Sequence, residues 1–114
     1  MLCLNRTAIV VTAKQPFLDW LRSVDPTSHE LTLAEINTEP AVYLLPECGS
    51  DKEAERLVRR FVKEIFTNEL DGWWREPLDW PKTISYKVFT NWFEWRSHSV
   101  VLDLVKGEII REEF

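Results

Sequence analysis

Five of the six tryptophans, Trp73, Trp74, Trp80, Trp92 and Trp95, fall within 23 residues of a 114-residue chain. Tyr86, Phe89 and Phe93 lie in the same stretch. Each such ring carries roughly 150–250 Å² of surface that favours leaving water. A domain spreads that surface through its core unless something local uses it. The stretch is therefore either a bulky structural core or a face built to hold another molecule.

The length suits one domain over residues 1–114, and the 45% apolar and 29% charged residues describe a globular chain. A core of that size needs no staples, so Cys3 and Cys48 are expected reduced, as in a cytoplasmic protein. No secretory signal pattern and no run of 18 apolar residues is present, so neither export nor a membrane span is expected. The net charge of -5 disfavours a nucleic-acid backbone binder and docking to anionic lipid. Arg56, Arg59, Arg60 and Lys63 are interleaved with Glu53, Glu55 and Glu64, which reads as a solvated helix face with ion pairs three or four residues apart.

The β-branched run at 7–13 predicts a strand. Pro16 then suits a first helical turn, and Phe17, Trp20, Leu21 and Val24 share one helix face until Asp25-Pro26 stops it. Residues 31–36, LTLAEI, alternate and predict a strand. Residues 41–45, AVYLL, predict its antiparallel hairpin partner, with Pro40 at the strand start and Pro46 at its end. Ser50-Asp51-Lys52-Glu53 has the form of a capping box. Ala54, Leu57, Val58, Phe61, Val62, Ile65 and Phe66 follow it at helical spacing, predicting a helix of about four turns with Phe61 buried.

Residues 67–82 are punctuated by Gly72, Pro77 and Pro81 and predict an irregular, pinned connection after a helical turn near Glu69–Trp74. Thr83 is placed as the cap of a third helix, followed by a turn at Glu94 and a strand over 95–105. Val100, Leu102 and Leu104 share one side of that strand with Arg96 and His98, and Trp95, Ser97, Ser99, Val101 and Asp103 share the other. The expectation is a two-layer α+β domain in the order β-α-β-β-α-loop-α-β. Its mostly antiparallel, four-stranded sheet is covered mainly on one face by helices.

Little in the chain has the spacing of a reaction centre. His29 and His98 are isolated, Cys-x-x-Cys and HExxH are missing, and only three glycines occur, so no cofactor, metal or dinucleotide site is expected. The serines flanking His98 would point away from its ring on a strand. Cys48, just before the capping box, has a thiolate-favouring position but reads as a loop residue. Glu69, Asp71, Glu76 and Asp79 surround the loop tryptophans, a combination that furnishes carbohydrate sites. Trp73-Trp74-Arg75 has the side chains of an interface hot spot.

Trp73 in ELDGWW, Trp80-Pro81, FTNWFEW and SVVLDL together resemble a pattern of small uncharacterised bacterial proteins, over roughly residues 40–105. The resemblance implies an α+β domain. It implies no activity and carries no catalytic residue.

Two functions remain open. The first is a non-enzymatic interaction or structural domain that meets a second copy or a protein partner through Trp73, Trp74, Arg75, Trp80, Trp92 or Trp95. The second is a small hydrolase or carbohydrate-binding protein using the acidic and aromatic residues of the 69–80 loop. The second requires a concave pocket lined by at least one of these rings and two convergent carboxylates.

Overall fold

The computed structural model describes residues 1–113. β1 (Leu2–Cys3), β2 (Arg6–Ala13) and α1 (Gln15–Val24) open the chain. A short helix α2 (Leu33–Ile36), β3 (Val42–Pro46), and helices α3 (Asp51–Arg60) and α4 (Val62–Asp71) follow. Then come α5 (Tyr86–Trp92), β4 (Phe93–His98) and β5 (Leu102–Asp103). This is an α+β fold in roughly two layers, with antiparallel sheets.

The sheet differs from the expected one. β2 lies at the centre of a three-stranded sheet in the order β3-β2-β4, and β1 and β5 form a separate two-stranded ribbon. Residues 31–36 supply no strand, because Thr32 and Glu35 cap a helix there. The Thr32 hydroxyl accepts from the Glu35 amide and the Glu35 carboxylate accepts from the Thr32 amide, each at 3.2 Å. Two satisfied donors outweigh a short alternation with no clean buried face. β3, deprived of its predicted hairpin partner, pairs antiparallel with β2, Ala8 opposite Leu44 and Val10 opposite Val42.

Alternation along β2 sorts the sheet into two faces. Thr7, Ile9 and Val11 are buried with Tyr43 and Leu45 of β3 and Phe93, Trp95 and Ser97 of β4 in register beside them. The helices lie over this face. α1 buries Phe17, Leu18 and Leu21, α3 buries Ala54 and Val58, and α4 buries Ile65, Phe66 and Leu70. The expected single long helix is two, meeting at Phe61, whose φ of -101° and ψ of 11° leave the helical region. At about 100° per residue, Phe66 and Leu70 would stand roughly 80–160° round a straight helix from Ala54 and Val58. The break lets both stripes reach the core. Phe61 itself is only half-buried, while Phe66 is fully enclosed.

Ser50 caps α3 as expected, but Glu53 reaches the Gly49 amide rather than that of Ser50. Arg59 pairs with Glu55 at 3.3 Å on the solvated side, as the interleaved charges suggested. Ser85, not Thr83, caps α5. β4 then begins at Phe93 without a turn at Glu94, because the Lys14 amide holds the Trp92 carbonyl and aligns the helix end with the start of α1. The expected strand over 95–105 is interrupted after His98. Its core side is that of Phe93, Trp95 and Ser97, whereas Val100, Leu102 and Leu104 are exposed.

Among the described residues, no helix is long and apolar enough to cross a membrane. Cys3 is exposed and unpaired. Cys48 is half-buried, its amide donating to the hydroxyl of the buried Thr7 at 3.2 Å.

Candidate functional site

The tryptophans divide by what their indole N–H groups do. Trp74 donates to a carboxylate oxygen of Asp79 at 2.9 Å, and Trp80 donates to the Trp74 carbonyl at 2.8 Å. Trp20, from α1, donates to the Asp79 carbonyl at 2.9 Å. The first two bonds brace the 73–80 segment internally, the third fastens it to α1, and Trp74 and Trp80 pack against the core. Trp95 donates to the Tyr86 hydroxyl at 3.2 Å. Trp92 lies among rings, 5.8 Å from Trp20 and 5.8 Å from Phe66 between centroids. Trp73 stands apart. It is 40% exposed, and its N–H makes no hydrogen bond among the described residues.

The four loop carboxylates divide too. Asp79 braces Trp74. Glu76 accepts from the Leu78 amide at 3.3 Å and caps the short 3-10 turn Pro77–Asp79. Glu69 and Asp71 instead line a cleft of about 330 Å³, together with Trp73 and Arg75. Its floor reaches the core at Val11, Phe17, Ile36 and Phe93, and its opposite wall is the turn carrying Asn37, Glu39 and Pro40. This size falls at the lower end of small-ligand sites, roughly 300–1,000 Å³.

Local structure explains each wall. The Ala13 amide donates to the Asn37 side-chain oxygen at 2.8 Å, and the Asn37 amide group donates to the Ala13 carbonyl at 3.0 Å. This pair clamps the turn after α2 onto the end of β2. On the other side α4 stops at Gly72, whose amide bonds back to the Asn68 and Leu70 carbonyls. The chain then swings out, so that Glu69 and Asp71 of the last helical turn stand beside Trp73 and Arg75.

Glu69 is half-buried and accepts a hydrogen bond from the Tyr43 hydroxyl. Asn68 donates to that same hydroxyl at 2.8 Å. Burial pushes the Glu69 carboxyl above its ordinary value, and the Tyr43 bond offsets part of the rise. Burial first, then the bond to Glu69, likewise pushes the Tyr43 phenol up. Asn37 and Glu39, which line the cleft, and Tyr43, which bonds to Glu69 without lining it, carry no signal in the sequence as site residues, since each is brought there by pairing with distant segments. Among the described residues, the cleft carboxylates Glu39, Glu69 and Asp71 form no ion pair with Arg75. The cleft thus presents acceptors, one multidentate donor, a partly exposed indole ring and an apolar floor.

No protein-family model, no curated protein and no solved structure matches this chain.

Proposed function

We propose that the cleft binds a small, neutral, hydroxyl-rich ligand of the carbohydrate class. The observation that carries this reading is the convergence of Trp73, Glu69 and Asp71 on one cleft of about 330 Å³. Sugars offer hydroxyls that both donate and accept, and C–H faces that lie on indole rings. Glu39, Glu69 and Asp71 accept, Arg75 donates, and Trp73 offers the ring. A phosphate ester would meet three carboxylates against one guanidinium, and an organic cation could not use the donors of Arg75. The raised carboxyl of Glu69 would suit a proton donor to a glycosidic oxygen. Equilibrium binding to a panel of neutral saccharides, amines and phosphate esters tests the reading. Saturable binding of a saccharide, weakened by Trp73→Ala and by Asp71→Asn, is expected. Preference for the amines or phosphates would refute it.

A second reading, the interaction domain, is favoured by a different surface from the tryptophans. The sheet face turned away from the helices exposes Val42 at 58% and Leu44 at 50%, and Leu2, Val100 and Leu102 are also exposed. Exposed apolar residues in numbers of this kind mark surfaces that other molecules cover.

A further inference from the structure

We propose that the ligand is a neutral oligosaccharide of at least two units, spanning two adjoining clefts that meet at Trp73. The proposal rests on the carbohydrate reading just given and deepens it to the length and charge of the ligand.

A second cleft, of about 450 Å³, lies beside the first. Leu21, Ser28, Glu30, Glu35 and Trp73 are among the residues that line it. Trp73 also lines the first cleft, so one ring borders both. Two further elements run from one cleft into the other. On α1, Phe17 lines the first and Leu21 the second. These residues are one turn apart, about 6 Å along the helix axis. On α2, Ile36 lines the first and its neighbour Glu35 the second. The clefts are successive segments of one groove along α1. The step between them is comparable to the advance from one ring to the next in a sugar chain.

Hydrogen bonds hold the second cleft in shape. Arg22 of α1 donates from Nη2 to the Leu31 carbonyl at 2.8 Å, and the Leu31 amide donates to the Ser28 carbonyl at 3.1 Å. These bonds fix the 28–31 wall on α1. Asp25, which also lines the cleft, accepts from the Thr27 amide at 2.9 Å and the Thr27 hydroxyl at 2.7 Å. A wall already ordered adds little entropic cost to binding.

Its chemistry continues that of the first cleft. Ser28 is 4% exposed and spends its hydroxyl proton on the Asp25 carbonyl at 2.7 Å, so toward a ligand its oxygen accepts. The Glu35 carboxylate is braced by the Thr32 amide at 3.2 Å and the Thr32 hydroxyl at 3.0 Å. Glu30 is exposed, and its side chain makes no hydrogen bond among the described residues. The indole N–H of Trp73, also without a partner among the described residues, is a donor where the clefts meet. No Lys or Arg lines the second cleft, so a uronate or sulfated unit there would meet carboxylates alone. An ammonium ion suits the second cleft but leaves Arg75 and the apolar floor of the first unused. A chain of hydroxyl-bearing rings uses both. Joining two weakly held units in one chain makes the second contact intramolecular and raises affinity without any new kind of contact.

Titration of the full chain with neutral saccharides of several linkages, from monosaccharide to pentasaccharide, tests the proposal. Binding is followed by the indole N–H resonances in the wild type, Glu30→Ala and Glu30→Trp, each checked for folding by circular dichroism. Monosaccharide affinity should be the same in all three. The wild type should bind one oligosaccharide series roughly tenfold or more tightly than its monosaccharide. Glu30→Trp, which fills the second cleft, should remove that gain, and Glu30→Ala should reduce it. Failure of every saccharide to bind overturns the carbohydrate reading and this inference with it. A monosaccharide that binds, with longer chains no tighter, overturns this inference alone. A gain with length that both folded variants keep places the extra units outside the second cleft and overturns it too. A uronate chain bound as tightly as its neutral counterpart overturns the charge assignment. Should Glu30→Trp fail to fold, Glu30→Ala decides.

Discussion

Tyr43 donates its phenolic hydrogen to Glu69 across 26 positions of sequence, tying the edge strand β3 to the last turn of α4. That bond fixes one wall of the cleft and holds a carboxyl group where burial disfavours its charge. The same two residues decide how the fold responds to pH.

Because the folded Glu69 carboxyl titrates above its ordinary value of 4.5, the folded chain holds that proton more tightly than the unfolded chain. Its contribution to stability is fully present below pH 4.5 and is lost as pH rises through the raised folded value. Glu69→Gln keeps an acceptor for Tyr43 and removes the charge. The stability of Glu69→Gln relative to the wild type should therefore increase as pH rises through that window, measured by denaturant unfolding at a series of pH values. Parallel curves for the two proteins would show that Glu69 is not held at a raised value.

Tyr43→Phe removes the bond that partly restrains the rise and leaves the Asn68 amide without that acceptor. The loss should be about 1 kcal/mol, typical of one hydrogen bond. The Glu69 carboxyl should move further up, read from its side-chain carbon resonance during a pH titration. A downward movement would mean that the phenol does not stabilise the carboxylate.

The loop is held by indole donors, so substitutions within it should have unequal effects. Asp79→Ala removes the acceptor of Trp74 and should raise the rate of proteolysis between Trp73 and Pro81, with a stability loss of about 1 kcal/mol. Trp73→Ala removes a ring that is 40% exposed and makes no indole hydrogen bond among the described residues, and should change unfolding by less than about 1 kcal/mol. Equal effects at both positions, by limited proteolysis and thermal unfolding, would contradict this division.

Phe66→Ala should destabilise by about 3–5 kcal/mol, the range for emptying a buried phenyl site. The half-buried Phe61 should tolerate alanine better. Denaturant unfolding of both variants orders them, and a greater loss at Phe61 would place the core on the wrong side of the α3–α4 break.

The elements that local chemistry dictates were legible: β2 from its β-branched run, α1 from Pro16 and its apolar stripe, and α3 from Ser50 and Glu53. Residues 31–36 held two signals at once, strand-like alternation and the Thr32–Glu35 cap, and the cap prevailed because it satisfies backbone donors directly. The break at Phe61 was visible only as a rotation of the apolar stripe. Half of the cleft was readable, since Glu69, Asp71, Trp73 and Arg75 are neighbours in sequence. Asn37 and Glu39 were not, nor was the Tyr43 bond behind Glu69, because these placements arise from the Asn37–Ala13 clamp and from β3 pairing with β2. The tryptophan cluster is divided by hydrogen bonding that sequence spacing does not reveal. Its interior rings brace the core, and Trp73 borders the cleft.

The most direct measurement of the ligand reading is an NMR titration that follows the six indole N–H resonances as a saccharide is added. The Trp73 resonance should shift saturably while that of Trp92, enclosed among Phe17, Trp20 and Phe66, stays in place. A Trp73 resonance unmoved by every neutral saccharide at millimolar concentration would contradict it.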